Sequence, residues 1–198
     1  MVVGLTGGIG SGKTTVLNIF SNFNNVAIYQ ADIEAKKLMS NSLEIKKELI
    51  NEFGADAYIN NKLNRSFIAG IVFKDAAKLK TLNSIVHPAV EKHFKAFILS
   101  NNTKDYILYE NAILFENGSD RFCDKIITVT APEKTRINRV VKRDNTTEIA
   151  VKNRIKNQWK EEKKILQSHY IINNISLIET QEIAIRIHNI LTNNQVYV

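Results

Sequence analysis

The chain is short of the residues that staple, break or anchor a polypeptide: among 198 residues there are one cysteine, two prolines, eight glycines and one tryptophan. A lone thiol, Cys123, closes no internal disulfide, which excludes a disulfide-stapled secreted scaffold. With so little proline and glycine, no segment reads as a flexible linker or a collagen-like repeat. No run of about 18 apolar residues occurs, so no membrane-spanning helix and no membrane partner are expected. Met1 leads at once into Val2-Val3-Gly4-Leu5-Thr6, without the basic and apolar stretches of a secretory signal. Together with the single thiol, this gives a cytoplasmic location as the expectation.

What is present is ordinary globular material, 44% hydrophobic and 24% charged. A chain of this length buries roughly 70% of its unfolded surface and needs no metal or disulfide for stability. The net charge of +7 raises nucleic acid as a partner, yet 20 of the 27 basic residues are lysine. No RNA-binding aromatic motif and no helix-turn-helix pattern accompanies that charge. No nucleic-acid partner is therefore expected.

Short apolar runs alternate with longer helical patterns, the signature of a parallel sheet with helices packed on it. Five runs have the continuous apolar character of strands buried on both faces: Val2–Thr6, Val26–Tyr29, Tyr106–Glu110, Lys125–Thr130 and Tyr170–Asn173. The roughly 75 residues between the second and third runs carry almost no strand signal and read as helical. Ser42 is placed to cap a helix ending at Gly54, and Asn64 to start another. A longer pattern over Lys78–Leu99 should be kinked or interrupted at Pro88. Pro132–Gln167 forms a second helical stretch, with Pro132 suited to a first helical position. Thr180–Leu191 has the periodicity of a packing helix.

The sharpest signal is Gly7-Gly8-Ile9-Gly10-Ser11-Gly12-Lys13-Thr14, a full G-x-x-x-x-G-K-[ST] match. It follows a strand and opens a helix. Glycines let the backbone turn and approach a ligand closely, so that successive N–H groups converge on an anion. The positive end of the following helix adds to that pull. Gly8, Ile9, Gly10, Ser11, Gly12, Lys13, Thr14 and Thr15 are thus the candidate nucleotide cradle. Lys13 should reach the β- and γ-phosphates, and the Thr14 hydroxyl should ligate Mg²⁺.

A GTPase is excluded because N-K-x-D and D-x-x-G are both missing. A small chain with one helical insertion and one arginine-bearing insertion points to a small-molecule kinase. Asp32 follows the second strand, where residues face the ligand crevice. It is placed either to accept a proton from an acceptor hydroxyl or to cap the next helix. Glu110 ends the third strand in the position of a Mg²⁺-supporting carboxylate, with Glu116 as a rival. Four of seven arginines fall in Arg136–Arg154, and Arg136, Arg139 and Arg143 share a helix face. There they would neutralise charge on a transferring phosphoryl group.

These residues, taken in order, resemble the dephospho-CoA kinase family nearly end to end. The resemblance is carried by Leu5–Thr14, Ala31-Asp32, Phe53-Gly54, Leu63-Asn64-Arg65, Val72-Phe73, His87-Pro88 and Leu114-Phe115-Glu116. Arg139, Arg143-Asp144, Arg154, Gln158 and Ile172-Asn173-Asn174 complete it. It departs from the family pattern at Gln30, Ala112, Arg136 and His169-Tyr170. The resemblance implies an α/β P-loop NTPase fold with a five-stranded parallel sheet flanked by helices. Residues 1–198 would be one kinase domain, with a helical acceptor region at about 31–103 and a helical lid at about 132–167. It implies ATP-dependent phosphorylation of the ribose 3′-hydroxyl of dephospho-CoA, with Mg²⁺, in a monomer or small homo-oligomer. A P-loop kinase of another small acceptor, a nucleoside or nucleoside monophosphate, is the alternative. By resemblance Asp32 is the base, Lys13 and Arg139 are catalytic, Arg139, Arg143 and Asn174 contact ATP, and Asp32, Arg65 and His87 serve the acceptor.

Overall fold

The computed structural model describes residues 1–193. Strand β1 (Val2–Thr6) is buried at all five positions, the condition of a central strand covered on both faces. It lies between β5 (Tyr106–Glu110) and β6 (Lys125–Thr130), with β2 (Val26–Gln30) beyond β5 and β7 (Tyr170–Asn173) beyond β6. The β1–β5, β1–β6 and β6–β7 pairs are parallel, in the registers Leu5↔Glu110, Leu5↔Ile127 and Val129↔Ile172. The sheet is the expected five-stranded parallel one. The chain leaves β1 toward the β2 side, while β6 and β7 lie on the other. The crevice at the carboxyl end of β1 is therefore a switch point where ligands bind.

Helices α1 (Lys13–Phe20) and α9 (Leu177–Leu191) pack together over this sheet. Val16, Leu17 and Phe20 of α1 and Ala184 and Ile187 of α9 join Val3, Leu5, Leu108, Ile127, Val129 and Ile172 in one core. Leu5 is fully buried there, so truncation to alanine would cost about 2–5 kcal/mol. The second helical stretch resolves into α6 (Glu133–Asp144), α7 (Glu148–Lys156) and α8 (Glu161–Leu166). Pro132 stands one residue outside α6 as its cap, with ψ of 138°, instead of opening the helix.

The chain divides into two compact units: Met1–Tyr29 with the residues from Asn101 onward, and Gln30–Ser100. The second holds α2 (Ala31–Asn41), α3 (Leu43–Phe53), α4 (Arg65–Val72) and α5 (Ala76–Ser100). Ser42 caps α3 by accepting the Ile45 N–H, and Asn64 caps α4 by accepting that of Phe67. Ile45, Leu49, Phe53, Ala57, Tyr58 and Ile68 form this unit's own core.

One expectation fails here, and of the two outcomes expected at Pro88 the interruption does not occur. A hairpin of β3 (Tyr58–Ile59) and β4 (Lys62–Leu63) interrupts the helices, turning at Asn60 and Asn61 with φ of 50° and 64°. Asparagine tolerates that left-handed conformation, and two such residues make a tight hairpin turn. Helix α5 also runs unbroken through Pro88. Proline removes a hydrogen bond to the carbonyl four residues back, here Ser84. Ser84 and Pro88 are both exposed, so water can take up that carbonyl.

Candidate active site

The phosphate loop, residues 7–14, lies between β1 and α1 at the sheet's switch point. Two of its glycines are required by geometry. Gly10 has φ of 80° and Gly12 φ of 91°, both left-handed. A Cβ on Gly10 would overlap the Arg136 carbonyl, and one on Gly12 would overlap the Asn174 side-chain amide.

The peptide carbonyl of Ser11 is pinned from outside the loop. It accepts from Asn174 Nδ2 at 2.8 Å and from the Arg139 guanidinium at 3.5 Å. The Arg139 guanidinium also donates to the Asn174 carbonyl at 3.0 Å, and the Thr180 hydroxyl of α9 donates to Asn174 Oδ1 at 3.1 Å. A trans peptide points its N–H opposite its C=O. Holding the Ser11 carbonyl outward thus turns the Gly12 N–H the other way. Ser11 is fully buried, and its N–H donates to the Gly8 carbonyl at 3.1 Å, so it shapes the loop without itself facing the cleft. The Lys13 ammonium donates to the Gly7 carbonyl at 2.9 Å, laying its stem along the loop.

Above the loop opens a cleft of about 480 Å³, lined by Ile9, Gly10, Gly12, Lys13, Thr14, Thr15, Ala112, Arg139, Val140, Arg143 and Gln158. Its size falls within the usual range for small-molecule sites. Its lining carries the cations Lys13, Arg139 and Arg143, and no carboxylate. A pocket of that charge, at the positive end of α1, selects a polyanion. Arg143 is partly engaged already: it donates to Asp144 at 2.7 Å, and Arg154 adds a bond at 2.8 Å. These two guanidiniums, Arg143 first, pull the Asp144 carboxyl down to about 2.

The predicted residues separate into groups. Ile9, Gly10, Gly12, Lys13, Thr14, Thr15, Arg139 and Arg143 line the cleft. Asn174, only 5% exposed, holds the loop from outside the cleft through Ser11, and Gly8 and Ser11 are buried within the loop and do not line the cleft. Arg136 does not share the cleft-facing role of Arg139 and Arg143. It is 4% exposed and turns to Glu161. Glu116 is committed elsewhere, accepting from Lys164 Nζ at 2.8 Å and the Trp159 N–H at 2.9 Å. Glu110 remains at the carboxyl end of β5, beside Leu5 of β1. Asp32, Arg65 and His87 belong to the Gln30–Ser100 unit, all three solvent-exposed. Asp32 is the second residue of α2, whose cap is Gln30, so the capping reading of Asp32 falls away.

No group of three or more His, Cys, Asp or Glu among the described residues could hold a metal ion. A hydroxyl at Thr14 with one carboxylate at Glu110 fits Mg²⁺, which keeps several waters and is held through one or two protein groups plus substrate phosphates. No helix among the described residues is long and apolar enough to cross a membrane.

A family model for dephospho-CoA kinase matches residues 1–179. The chain belongs to the dephospho-CoA kinase family. It is 34% identical to the dephospho-CoA kinase of Bacteroides fragilis over 172 residues, covering 87% of this chain and 83% of that protein. A Thermus thermophilus crystal structure superposes with a TM-score of 0.85 at 29% identity, over 95% of each chain. The dephospho-CoA kinase from Campylobacter jejuni superposes at 0.72 and 25% identity, over 98% of each. The family match spans the loop, α6 to α8 and Asn174, and ends early in α9.

Two contributors escaped the sequence reading: Glu161 and Lys164. Both lie in the run Lys160-Glu161-Glu162-Lys163-Lys164, which reads as a solvated helix face, yet Lys164 is fully buried. The available hint was that apolar residues bracket the run, Trp159 before it and Ile165-Leu166 after it.

Proposed function

We propose that this chain transfers the γ-phosphoryl group of ATP to the ribose 3′-hydroxyl of dephospho-CoA, giving CoA and ADP. The observation that carries the nucleotide half is the cleft at the phosphate loop, lined by three cations and no carboxylate. The acceptor half rests on membership of the dephospho-CoA kinase family.

In this reading the N–H groups of the loop and Lys13 hold the triphosphate, and Arg139 and Arg143 oppose the charge that gathers on the transferring group. Such a transition state is loose, so positioning and charge neutralisation supply most of the rate. Asp32 orients the acceptor hydroxyl and takes its proton, while Arg65 and His87 bind the acceptor. Thr14 and Glu110 would hold Mg²⁺, which neutralises charge on the β- and γ-phosphates when bound. The α6–α8 segment acts as the lid and residues 31–103 as the acceptor region, within one kinase domain spanning 1–198. The enzyme works in the cytoplasm as a monomer or small homo-oligomer, without nucleic acid.

ADP release measured with dephospho-CoA, nucleosides and nucleoside monophosphates tests this directly. Turnover should favour dephospho-CoA over every other acceptor. Preference for a nucleoside or nucleoside monophosphate would replace the acceptor and leave the phosphate loop's role intact.

A further inference from the structure

Four elements meet on one carboxylate beside the phosphate loop. Glu161 opens α8, and its side chain is 13% exposed. Its Oε1 accepts the Gly8 N–H at 3.1 Å and lies 3.5 Å from the Arg136 guanidinium of α6. Its Oε2 accepts the Thr130 hydroxyl, at the end of β6, at 2.6 Å. Gln158, just upstream, accepts the Ile9 N–H at 2.8 Å. A Cβ on Gly8 would strike both Glu161 Oε1 and the Arg136 guanidinium, so the pair rests directly on the loop's main chain.

The loop is thereby divided. The N–H groups of Gly8 and Ile9 are taken by protein oxygens. Those of Gly10, Gly12 and Thr14 have no protein acceptor among the described residues. A carboxylate under a polyphosphate site repels the ligand unless a cation offsets it. Arg136 is that cation, with its Nε buried and unpartnered. The other charges around the pair, Lys156 and Lys160 against Glu133 and Glu162, balance one another.

We infer that Glu161 is a positioning residue of the phosphate loop and Arg136 its charge partner: the carboxylate fixes the Gly8 end of the loop, and the guanidinium cancels its charge toward the nucleotide. This inference rests on the nucleotide reading of the cleft, and is independent of the acceptor.

The test is calorimetric titration of ATP into Arg136→Gln, Glu161→Gln and the double variant, with unfolding midpoints recorded for each. Removing one charge near a site that binds a polyanion moves affinity about tenfold. Arg136→Gln should weaken ATP by about that factor, Glu161→Gln should tighten it, and the double variant should return within about threefold of the parent. Glutamine at 161 still offers an oxygen to the Gly8 N–H, whereas Arg136→Gln with Glu161→Ala should stay weak. Shifts of the same sign in both single variants, or a double variant no better than Arg136→Gln, would overturn the inference. If Arg136→Gln does not fold, the near-isosteric Glu161→Gln decides alone: weaker ATP binding sinks the idea. Absence of ATP binding in the parent protein would instead refute the nucleotide reading itself.

Discussion

The phosphate loop and the Gln30–Ser100 unit present their chemistry in opposite ways. At the loop, main-chain N–H groups face the cleft, and the side chains that matter, such as Asn174, Glu161 and Arg136, are mostly buried and hold the backbone in shape. In the helical unit the candidates Asp32, Arg65 and His87 are exposed side chains carried on ordinary helices. A site built from backbone depends on what lies beneath it, so damage there should reach folding and binding together. A site built from exposed side chains can lose its chemistry while its fold stands.

The largest expected effect is in the helical unit. Asp32→Asn should cut turnover by roughly 10²–10⁴ if the carboxylate takes the acceptor's proton. Being exposed and outside any cap, it should leave the unfolding free energy within about 0.5 kcal/mol of the parent. Near-normal kcat would remove Asp32 from catalysis. At the loop, Lys13→Ala should lower kcat by about 10²–10³, the usual loss for one charged donor to a developing anion. Lys13 lines the cleft, and its stem also spans the loop to the Gly7 carbonyl. Its loss should therefore raise the KM for ATP too, whereas Asp32→Asn should leave that KM alone. Steady-state kinetics with both substrates varied separates the two patterns.

How much of this was legible follows the same division. All five parallel strands could be read because each is a continuous apolar run, and β1 is buried at all five positions. The loop could be read because glycine and lysine spacing encodes backbone geometry within eight residues. The Tyr58–Leu63 hairpin escaped because its strands are two residues each, too short for any periodicity, and only Asn60-Asn61 marks the turn. Whether Pro88 interrupts its helix could not be read, because the penalty depends on whether the freed carbonyl reaches water, a tertiary fact. Glu161 and Lys164 escaped, and Arg136 was given a cleft-facing role it does not have, because local sequence cannot distinguish a solvated charge from one whose partner lies 25 to 48 residues away.

The sheet unit contains a second buried pair that sharpens the comparison in stability instead of rate. Lys164, with no exposed surface, bonds Glu116 at 2.8 Å and approaches the Ala112 carbonyl at 3.5 Å, in the segment that lines the cleft. Phe115 stacks on Trp159 with centroids 5.7 Å apart, so the segment after β5 and the start of α8 are clamped together. Lys164→Met should destabilise by about 3–5 kcal/mol, because it leaves the Glu116 charge buried without its partner. Chemical denaturation at pH 7 measures this. A cost under about 1 kcal/mol would show the pair to be solvated.

The smallest effect is a pH dependence of the same pair. Burial pushes the Glu116 carboxyl up, but bonds from Lys164 and the Trp159 N–H outweigh it and hold the group below its ordinary value. A carboxyl depressed in the folded state binds its proton more readily when unfolded. Its stabilising contribution is therefore complete above the ordinary glutamate range near pH 4.3 and is lost as the pH falls through the lower folded-state value. Glu116→Gln should accordingly be less stable than the parent at pH 6, with the gap narrowing as the pH drops toward 3. Hydrogen exchange should show where the loss falls. Amides of Phe115–Gly118 and Trp159–Lys164 should lose protection on acidification before those of α3 in the helical unit, whose cap is the neutral hydroxyl of Ser42. A parent–variant gap that stayed constant from pH 6 to 3 would mean that Glu116 serves packing alone.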